Sequence, residues 1–523
     1  MKRYLSILVA VFMVLSLAAC GSKTTTTTQD GTTKESTTNE TGSKVLTVVN
    51  DADAITLDPQ GSNDNSSSKV LLQIYEGLID INAEGKVVPL LAESIEAKSD
   101  LDYEIKLKKG VKFHNGEEMK ASDVVFTIKR ALESPNVAYL YEAIDGETVK
   151  AVDDYTVTFT LKTPYAGIVM AFMHPGASIL SEKAVTAAGD NYGQSPETVC
   201  GTGAFKLAEW SKANKIVLDK FADYHGEKPA FDKIDYKIIP EASNRVIELE
   251  SGSADIAYEI APIDRSKVED NENLTLLKSL DYGTTYLGFN TQKAPFDNPK
   301  VREAISYAID LEPIIKTVWM GVGEVATNSL PPTLNYSIAD QYQVKKRDVE
   351  KAKKLLEEAG FPDGFACELA TNERQQRIDM ATMIKEQLSE VGIDVTVSVM
   401  EWSAYNDHLK NGRQDMFEIA WIADTPDPDS FMFPCFHSSA AGEGGNYVFL
   451  NDPEMDKLLE DARATLDDAK RAELYKKAQE RVQEITAWIP QYWNENAVGT
   501  KKSISGLELN PFNFYKLQNV KFN

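Results

Sequence analysis

The chain alternates short apolar runs of strand-like composition with longer segments whose apolar residues recur at helical spacing. Residues 45–49 are rich in β-branched side chains, which favours a β-strand. Four segments repeat apolar residues every three or four positions and predict amphipathic helices: 69–78, 122–132, 348–360 and 377–391. Ser67 or Ser68 is the expected N-cap of the first. Each of the last two helices leads into a strand-like run, at 367–370 and 393–397, so the order predicts an α/β fold.

The most informative stretch of the sequence covers residues 416–431. A strand-like apolar run ends at Trp421, and a turn rich in Asp and Pro follows, with carboxylates at Asp424, Asp427 and Asp429. Aromatic residues flank these carboxylates on both sides. An acidic group near aromatic walls at the end of a strand suits the binding of a small cation such as an α-ammonium group. An ordinary surface turn is the alternative interpretation.

Composition and charge limit the classes of function that the chain can have. A chain of 523 residues is too long for one hydrophobic core, so about two to four domains are expected. Hydrophobic residues make up 42% and charged residues 26% of the sequence, which is typical of globular domains. The formal net charge of −25 argues against nucleic acid, whose phosphates require basic surfaces, and against general adhesion to anionic lipid.

The N-terminal residues predict export and a lipid anchor. A short basic start is followed by an apolar run at 5–17 and then by the residues LAAC, which end at Cys20. This pattern resembles a bacterial lipoprotein signal, which implies cleavage before Cys20 and acyl chains on it, so that residues 1–19 are removed. An ordinary secretory signal with an incidental cysteine is the alternative. Residues 21–43 are rich in Thr and Ser and are expected to form a tether.

A long ordered block of the sequence resembles the family 5 solute-binding proteins of ABC importers, the oligopeptide- and dipeptide-binding family. The block contains PLLAES at 89–94, KGVKFHNGE at 109–117 and ASDVVF at 121–126. Later blocks resemble the same family in the same order: GTGAF at 201–205, LGFNT at 287–291, VREAI at 301–305, AKKLLEEAGF at 352–361 and AWIPQY at 487–492. In the GTGAF turn, Ala204 replaces the usual proline of the family.

The resemblance implies a two-lobed periplasmic-binding-protein-like fold of the large three-domain type, with two crossing strands as hinge. Lobe I would comprise 44–83, 206–283 and 498–523, the additional domain 84–205, and lobe II 284–497. The mature chain would begin at Cys20, with the tether covering 20–43. We expect a monomer on the outer face of the cytoplasmic membrane that delivers its ligand to permease subunits with a cytoplasmic ATPase.

The resemblance also implies ligand-binding residues. In the peptide binders, the aspartate of an Ala-Asp pair after this strand binds the ligand's N-terminal ammonium group, which assigns that role to Asp424, with Ala423 before it and Trp421 in the family's Trp-x-x-Asp pattern. Asp427 and Asp429 are expected to serve the turn itself. Closed sites exclude water, and a buried ammonium without a carboxylate partner is costly.

Other family positions are assigned by spacing. Asn63, Asp64 and Asn65 lie where relatives offer main-chain hydrogen bonds to a peptide. Thr284 and Tyr286 lie in the crossing-strand region, where Tyr286 is either a ligand contact or a core residue. Arg374 lies close to where dipeptide binders place an arginine for the ligand carboxylate; a solvated surface arginine is the alternative.

Several alternatives to a peptide binder follow from the sequence. An enzyme is disfavoured because the chain lacks GxSxG, HExxH, Walker A and CxxC patterns and its five histidines are scattered. No cofactor or metal is expected. The cysteines other than Cys20 are Cys200, Cys367 and Cys435, which allow at most one disulfide among them. A family 5 binder of a nickel complex, sugar or opine, and a peptide-pheromone receptor, are the closer alternatives.

Overall fold

The computed structural model describes residues 43–81 and 87–523, and the signal, Cys20 and almost all of the tether lie outside them. The described strands are β1 (Val45–Asn50), β2 (Ile79–Ile81), β3 (Val87–Pro89), β4 (Ala92–Ala97), β5 (Asp102–Leu107), β6 (Lys150–Asp153), β7 (Thr156–Thr160), β8 (Phe205–Ser211), β9 (Lys215–Lys220), β10 (Lys233–Ile238), β11 (Ile256–Ala257), β12 (Leu274–Leu280), β13 (Gly283–Phe289), β14 (Glu324–Val325), β15 (Phe365–Asn372), β16 (Ile393–Met400), β17 (Met416–Ile422), β18 (Trp488–Trp493), β19 (Glu495–Lys501), β20 (Ile504–Ser505) and β21 (Lys521–Phe522).

The α-helices of the same residues range from four to eighteen residues in length. They are α1 (Asn65–Ile74), α2 (Ala121–Leu132), α3 (Ile168–Ala171), α4 (Glu182–Ala188), α5 (Ala242–Glu250), α6 (Arg265–Glu269), α7 (Pro299–Ala308), α8 (Leu311–Val318), α9 (Val349–Glu358), α10 (Gln375–Ser389), α11 (Trp402–Lys410), α12 (Asp429–Phe436), α13 (Pro453–Ala464) and α14 (Asp468–Ile485).

The first large sheet has seven strands in the order β12-β19-β11-β1-β10-β9-β8. The strand β1 lies inside this sheet and pairs in parallel with both β10 and β11, so that Leu46 lies opposite Ile234 and Val48 opposite Ile256. All four of these side chains are fully buried in one core. The predicted first strand is therefore confirmed, and its apolar side chains lie in the interior of the sheet.

The second large sheet has six strands in the order β14-β18-β13-β17-β15-β16. The helices α9 and α10 each lead into a strand, and the two strands, β15 and β16, pair in parallel. This is the α/β order that the hydrophobic pattern predicts, and it is confirmed. The strand β17, which carries the Asp-rich loop at its end, lies between β13 and β15.

A smaller sheet with its own core lies in the segment before β8. Its four strands run in the order β4-β5-β7-β6, and the helix α2 packs on it. The aromatic rings of Tyr103 and Phe159 stack across this core at 5.2 Å. We propose the three-part partition given above, with one part for each of these sheets.

The chain passes between the two large sheets at two places. The chain leaves β12 of the first sheet and enters β13 of the second at Asp281–Tyr282, and it returns from β18 to β19 at Asn494. The Asp281 N–H donates to the Asn494 carbonyl at 3.0 Å, and the Asn494 amide donates to the Asp281 carboxylate at 2.9 Å. The fold is thus a two-lobed α/β fold whose crossing strands are tied to each other.

The structure corrects two details of the sequence interpretation. The helix α1 begins at Asn65, and its N-cap is Asp64, whose carboxylate accepts the Ser67 N–H at 2.8 Å, so the prediction of a serine cap was wrong. The Asp-rich turn ends at Pro428, because the helix α12 begins at Asp429 with that proline as its N-cap. A proline fits at this position because the first N–H groups of a helix have no partner within it.

The GTGAF turn shows why glycine is needed there. A Cβ atom added to Gly201 would lie 2.0 Å from the Ile74 carbonyl oxygen, and one added to Gly203 would lie 2.6 Å from the Gln73 carbonyl oxygen. Both carbonyls belong to the end of α1, so the turn packs directly against the helix backbone. Any side chain at Gly201 would displace one of these two elements.

Two further findings concern cysteines and membrane spans. Cys200, Cys367 and Cys435 are all buried and free, so no disulfide joins them. Among the helices of residues 43–81 and 87–523, none combines the length and apolar character needed to cross a bilayer.

Candidate functional site

A cavity of about 590 Å³ lies where the two crossing strands join the large sheets. Its walls come from both sheets and from the C-terminal segment: Asn65 of α1, Glu259 after β11, Asp281 and Asn494 at the crossing, Asp424 after β17, and Phe512 near the C-terminus. A ligand in this cavity would contact both lobes. Such a position is typical of small-molecule sites in multi-lobed proteins.

Asp424 contributes a carboxylate without a partner to this cavity. Ala423 fixes the chain just before it, because its N–H donates to the Tyr282 carbonyl at 3.2 Å. The side chain of Asp424 opens onto the cavity, and no basic group of residues 43–81 and 87–523 forms an ion pair with it. Protein atoms nevertheless crowd it, and this burial raises the pKa of Asp424 to about 6. The site therefore has an uncompensated negative charge in a partly desolvated place.

The loop that carries Asp424 is held by two ion pairs, one fully buried and one in which the arginine is half-buried. Asp427 receives two hydrogen bonds from the Arg471 guanidinium, at 2.6 and 2.8 Å, and Asp429 receives two from Arg463, at 3.0 and 2.8 Å. Asp427 also accepts the Asp429 N–H at 2.9 Å, which is the turn role expected from the sequence. Bidentate arginine–carboxylate pairs fix both distance and orientation. They connect the loop rigidly to α13 and α14.

Trp421 also contacts the loop that carries Asp424. Its indole N–H donates to the Ser430 carbonyl at 3.1 Å, and its ring lies against Gly445, where a Cβ atom would come within 2.7 Å. The ring is not part of the cavity wall. In this structure Trp421 contacts the backbone that follows Asp424.

The loop before α1 divides its three candidate residues between two roles. Asn63 and Asn65 are exposed and line the cavity. Asp64 points into its own helix turn, where it accepts the Ser67 N–H and the Ser62 hydroxyl. The structure thus brings Asn63 and Asn65 to the same cavity as Asp424, and it gives Asp64 a capping role.

Thr284 and Tyr286 lie away from the cavity. The Thr284 hydroxyl donates to the Ser329 carbonyl at 2.8 Å and accepts the Trp493 indole N–H at 3.1 Å. Tyr286 packs against Trp488 with ring centroids 3.6 Å apart. Both side chains are fully buried, so of the two alternatives for Tyr286 the structure has the core position.

Arg374 lines the cavity from the second lobe. It is the N-cap residue of α10, its side chain is exposed, and no carboxylate of the described chain pairs with it. Asp424 and Arg374 thus both face the cavity without an ion-pair partner among the described residues.

Several residues in or beside the cavity were not predicted from the sequence. Asp281 is buried at the crossing, and burial raises its pKa to about 6 although Asn494 and the Gly283 N–H donate to it. Tyr139 is not part of the cavity lining but lies near Asp424, and burial and the Asp424 charge raise the pKa of the Tyr139 hydroxyl. Glu259 and Phe512 complete the walls. None of the four lies in a periodic pattern, so only their spatial neighbourhood identifies them.

No group of three metal-binding side chains occurs among residues 43–81 and 87–523. The lining of the cavity carries both hydrogen-bonding and charged side chains, which come from both large sheets and the segments that follow their strands. This arrangement suits an organic ligand with several polar groups.

Comparison with known proteins assigns the family. The sequence matches the family described as bacterial extracellular solute-binding proteins, family 5, over residues 86–443. The chain belongs to this family. Family 5 proteins are extracytoplasmic binding proteins of ABC transport systems, so the two-lobed fold described above is the periplasmic-binding-protein fold of that family.

Three proteins similar to this family 5 chain show the range of its relatives. The glutathione-binding protein GsiB of Pectobacterium atrosepticum is 31% identical over 475 residues, which cover 89% of this chain and 91% of GsiB. The periplasmic binding protein DppA of Helicobacter pylori, solved with the peptide STSA, is 29% identical with a TM-score of 0.73 and covers 91% of this chain and 98% of DppA. The binding protein AgaA of A. tumefaciens R10, solved with agropinic acid, is 26% identical with a TM-score of 0.73 and covers 92% and 99%.

The ion pair under the Asp424 loop leads to a stability prediction. We expect Asp427→Asn to lower the free energy of unfolding by about 3 kcal/mol or more, because it leaves the Arg471 charge buried without a counter-charge. The matched control is Asp461→Asn, which breaks the exposed pair with Lys457 and should cost less than about 1 kcal/mol. Urea unfolding of the two variants measures the difference. Equal losses would show that the buried pair does not stabilise the loop.

Proposed function

We propose that this chain is the extracytoplasmic substrate-binding lipoprotein of an ABC importer that captures short peptides by their free N-terminus. In this proposal the bound peptide is delivered to membrane permease subunits that work with a cytoplasmic ATPase. The observation that supports it most directly is the unpaired carboxylate of Asp424 in a cavity between the two lobes.

The chemistry of Asp424 favours a cationic group as its partner. A carboxylate that is crowded by protein and has no internal cation is costly in its ionised form. A ligand ammonium group supplies the missing charge, and the loop geometry fixed by Asp427 and Asp429 presents the carboxylate in one orientation. The ammonium group in turn loses its water in a closed cleft and requires such an acceptor.

The remaining polar groups fit the rest of a short peptide. Arg374 offers a guanidinium for a ligand carboxylate, and Asn63 and Asn65 lie on the other lobe where main-chain hydrogen bonds can form. Recognition through the terminal charges and main chain leaves side-chain preference loose. A ligand held by both lobes also stabilises the closed state by its differential affinity for it.

The ligands named for the relatives support a peptide as the ligand of this chain and leave other ligands as alternatives. GsiB is named for glutathione, a tripeptide, and DppA was solved with a tetrapeptide, which favours peptide capture. AgaA was solved with agropinic acid, so an opine is the second candidate, and a nickel complex, a sugar or a signalling peptide would fit the same fold. The free carboxylate of Asp424 favours a ligand with an amine over the sugar and nickel alternatives.

Blocking the ligand amine tests the role of Asp424. We expect N-acetylation of a binding tripeptide to weaken its affinity by about a hundredfold or more, because it removes the charge that Asp424 neutralises. Asp424→Asn should weaken binding of the free peptide to a similar extent. The control is Asp407→Asn, on the exposed pair with Arg413, which should leave affinity unchanged. Isothermal titration calorimetry measures all four affinities; unaltered binding of acetylated peptide would refute the assignment.

The pKa of Asp424 predicts a pH dependence of binding. With a pKa of about 6 in the free protein, the carboxyl is mostly ionised at pH 7 and mostly protonated at pH 5. Only the ionised form pairs with an ammonium group, so binding below pH 6 releases a proton and affinity falls as the pH falls. The expected loss is about tenfold between pH 7 and pH 5. Titrations at both pH values measure it. The Asp424→Asn variant should lose this dependence; if it keeps the dependence, Asp424 is not the group that titrates.

The sequence around Cys20 supports a lipid anchor, and we include it in the proposal. Two or three acyl chains on Cys20 would hold the protein stably at the outer face of the cytoplasmic membrane. We expect Cys20→Ser to release the protein from the membrane fraction and to remove the acylated N-terminal peptide from its mass spectrum. A Cys200→Ser variant is the control, because Cys200 is buried in the fold. Retention of Cys20→Ser protein on membranes would contradict the anchor.

A further inference from the structure

We infer that Glu259 is a second recognition carboxylate of the cleft, which binds the ammonium or guanidinium group of a basic ligand side chain. This inference rests on the proposed capture of peptides, and it adds a preference for Lys- or Arg-containing peptides. Glu259 follows β11 of the seven-stranded sheet and lines the cavity, whereas Asp424 follows β17 of the six-stranded sheet. The two carboxylates therefore belong to opposite walls.

The backbone of Glu259 is held in a strained conformation. Its φ angle is +54°, in the left-handed region that non-glycine residues rarely occupy. The Arg245 guanidinium donates to the carbonyls of Tyr258 at 2.9 Å and of Glu259 at 2.8 Å, and the Ile260 N–H donates to the Ala497 carbonyl at 3.0 Å. Such strain persists where the surroundings over-determine it, and it often marks a binding site.

Hydrogen bonds to one carboxylate oxygen of Glu259 fix the direction of its side chain, and the other oxygen is available to a ligand. The Oε1 atom accepts hydrogen bonds from the Lys69 ammonium, at 3.1 Å, and from the Asn513 amide. Within residues 43–81 and 87–523, no group donates to Oε2. The side chain is 32% exposed, so it is accessible from the cavity while its direction is fixed.

The charge of Glu259 is only partly neutralised by direct contacts. Lys69 also contacts Asp51 at 3.0 Å, so one ammonium serves two carboxylates. Arg245 lies behind the main chain and donates to four carbonyls, those of Tyr258, Glu259, Ile239 and Pro240. A ligand cation can therefore form a direct hydrogen bond with Glu259 that neither basic residue occupies.

The other two acidic residues of the cavity wall are already engaged. Asp281 accepts hydrogen bonds on both carboxylate oxygens, from Gly283 and Asn494. Glu495 pairs one-to-one with Arg265. Glu259 is thus the acidic residue of the first lobe that is best placed for a positively charged side chain.

Matched tripeptides test this inference. Ala-Lys-Ala and Ala-Ala-Lys are compared with the same peptides carrying norleucine, which keeps the aliphatic length and removes the ammonium group. For the natural protein we expect about fivefold tighter binding of at least one lysine peptide, the size typical of a half-exposed charge pair. Calorimetric titration gives each affinity.

Two substitutions of Glu259 then assign the preference to this residue. Glu259→Gln keeps the shape and removes the charge, and Glu259→Gly removes the side chain while relieving the strain at φ +54°. Both should bind lysine and norleucine peptides equally well. Glu227→Gln, at an exposed position of the same lobe, should keep the preference. A cooperative thermal unfolding transition in each variant shows that it is folded.

The possible outcomes separate the inference from the proposed function. If the natural protein binds free-amine peptides without any lysine preference, or if both Glu259 variants retain the preference, the role of Glu259 is refuted while peptide capture stands. If N-acetylated peptides bind as tightly as free ones, the role of Asp424 fails instead. Loss of the preference in both Glu259 variants supports the second recognition carboxylate.

Discussion

The properties of this cleft depend on one unpaired carboxylate, Asp424, which is exposed to the cavity and crowded by protein on its other sides. An ionised group in such a place normally acquires a partner or a proton, and Asp424 has no cation from the described chain and a pKa raised to about 6 by burial. The neighbouring carboxylates Asp427 and Asp429 are both compensated by arginines. The loop therefore holds two carboxylates that are paired with arginines, and the third, Asp424, is the one that we propose binds a ligand.

This arrangement requires a rigid loop on a two-lobed frame. The ion pairs to Arg471 and Arg463 connect the loop to α14 and α13, and the Trp421 indole donates a hydrogen bond to the loop backbone. At the crossing, Asp281 and Asn494 tie the two connecting strands together beside the same cavity. A ligand could contact Asp424 on one lobe and, on the other lobe, Glu259 or the loop before α1. Such a ligand would lower the free energy of the conformation in which the two walls are close. In the proposed function, binding and closure would be coupled by the position of the site.

The sequence predicted the features that depend on local pattern. Helical spacing found α9 and α10 with the strands that follow them, and the apolar run before the Asp-rich turn located β17. The sequence also predicted that Asp424 follows the end of that strand.

The partners of Asp427 and Asp429 could not be predicted from the sequence. Arg471 and Arg463 are more than thirty residues away from them and contact the loop only in the folded chain. Thr284 and Tyr286 lie on β13, whose residues are buried on both faces of the sheet, so the strand has no alternation of polar and apolar residues that could tell which side faces the cavity. Glu259 could not be identified from the sequence either, because no sequence pattern indicates the strained backbone conformation that marks it.

A crystal structure of the protein with a bound short peptide would show directly whether Asp424 binds the ligand amine. We expect the α-ammonium nitrogen to lie within about 3.2 Å of an Asp424 carboxylate oxygen, with both lobes in contact with the peptide and bulk water excluded from that contact. A complex in which Asp424 faces open solvent, or in which the cleft holds a ligand without an amine near this carboxylate, would contradict it.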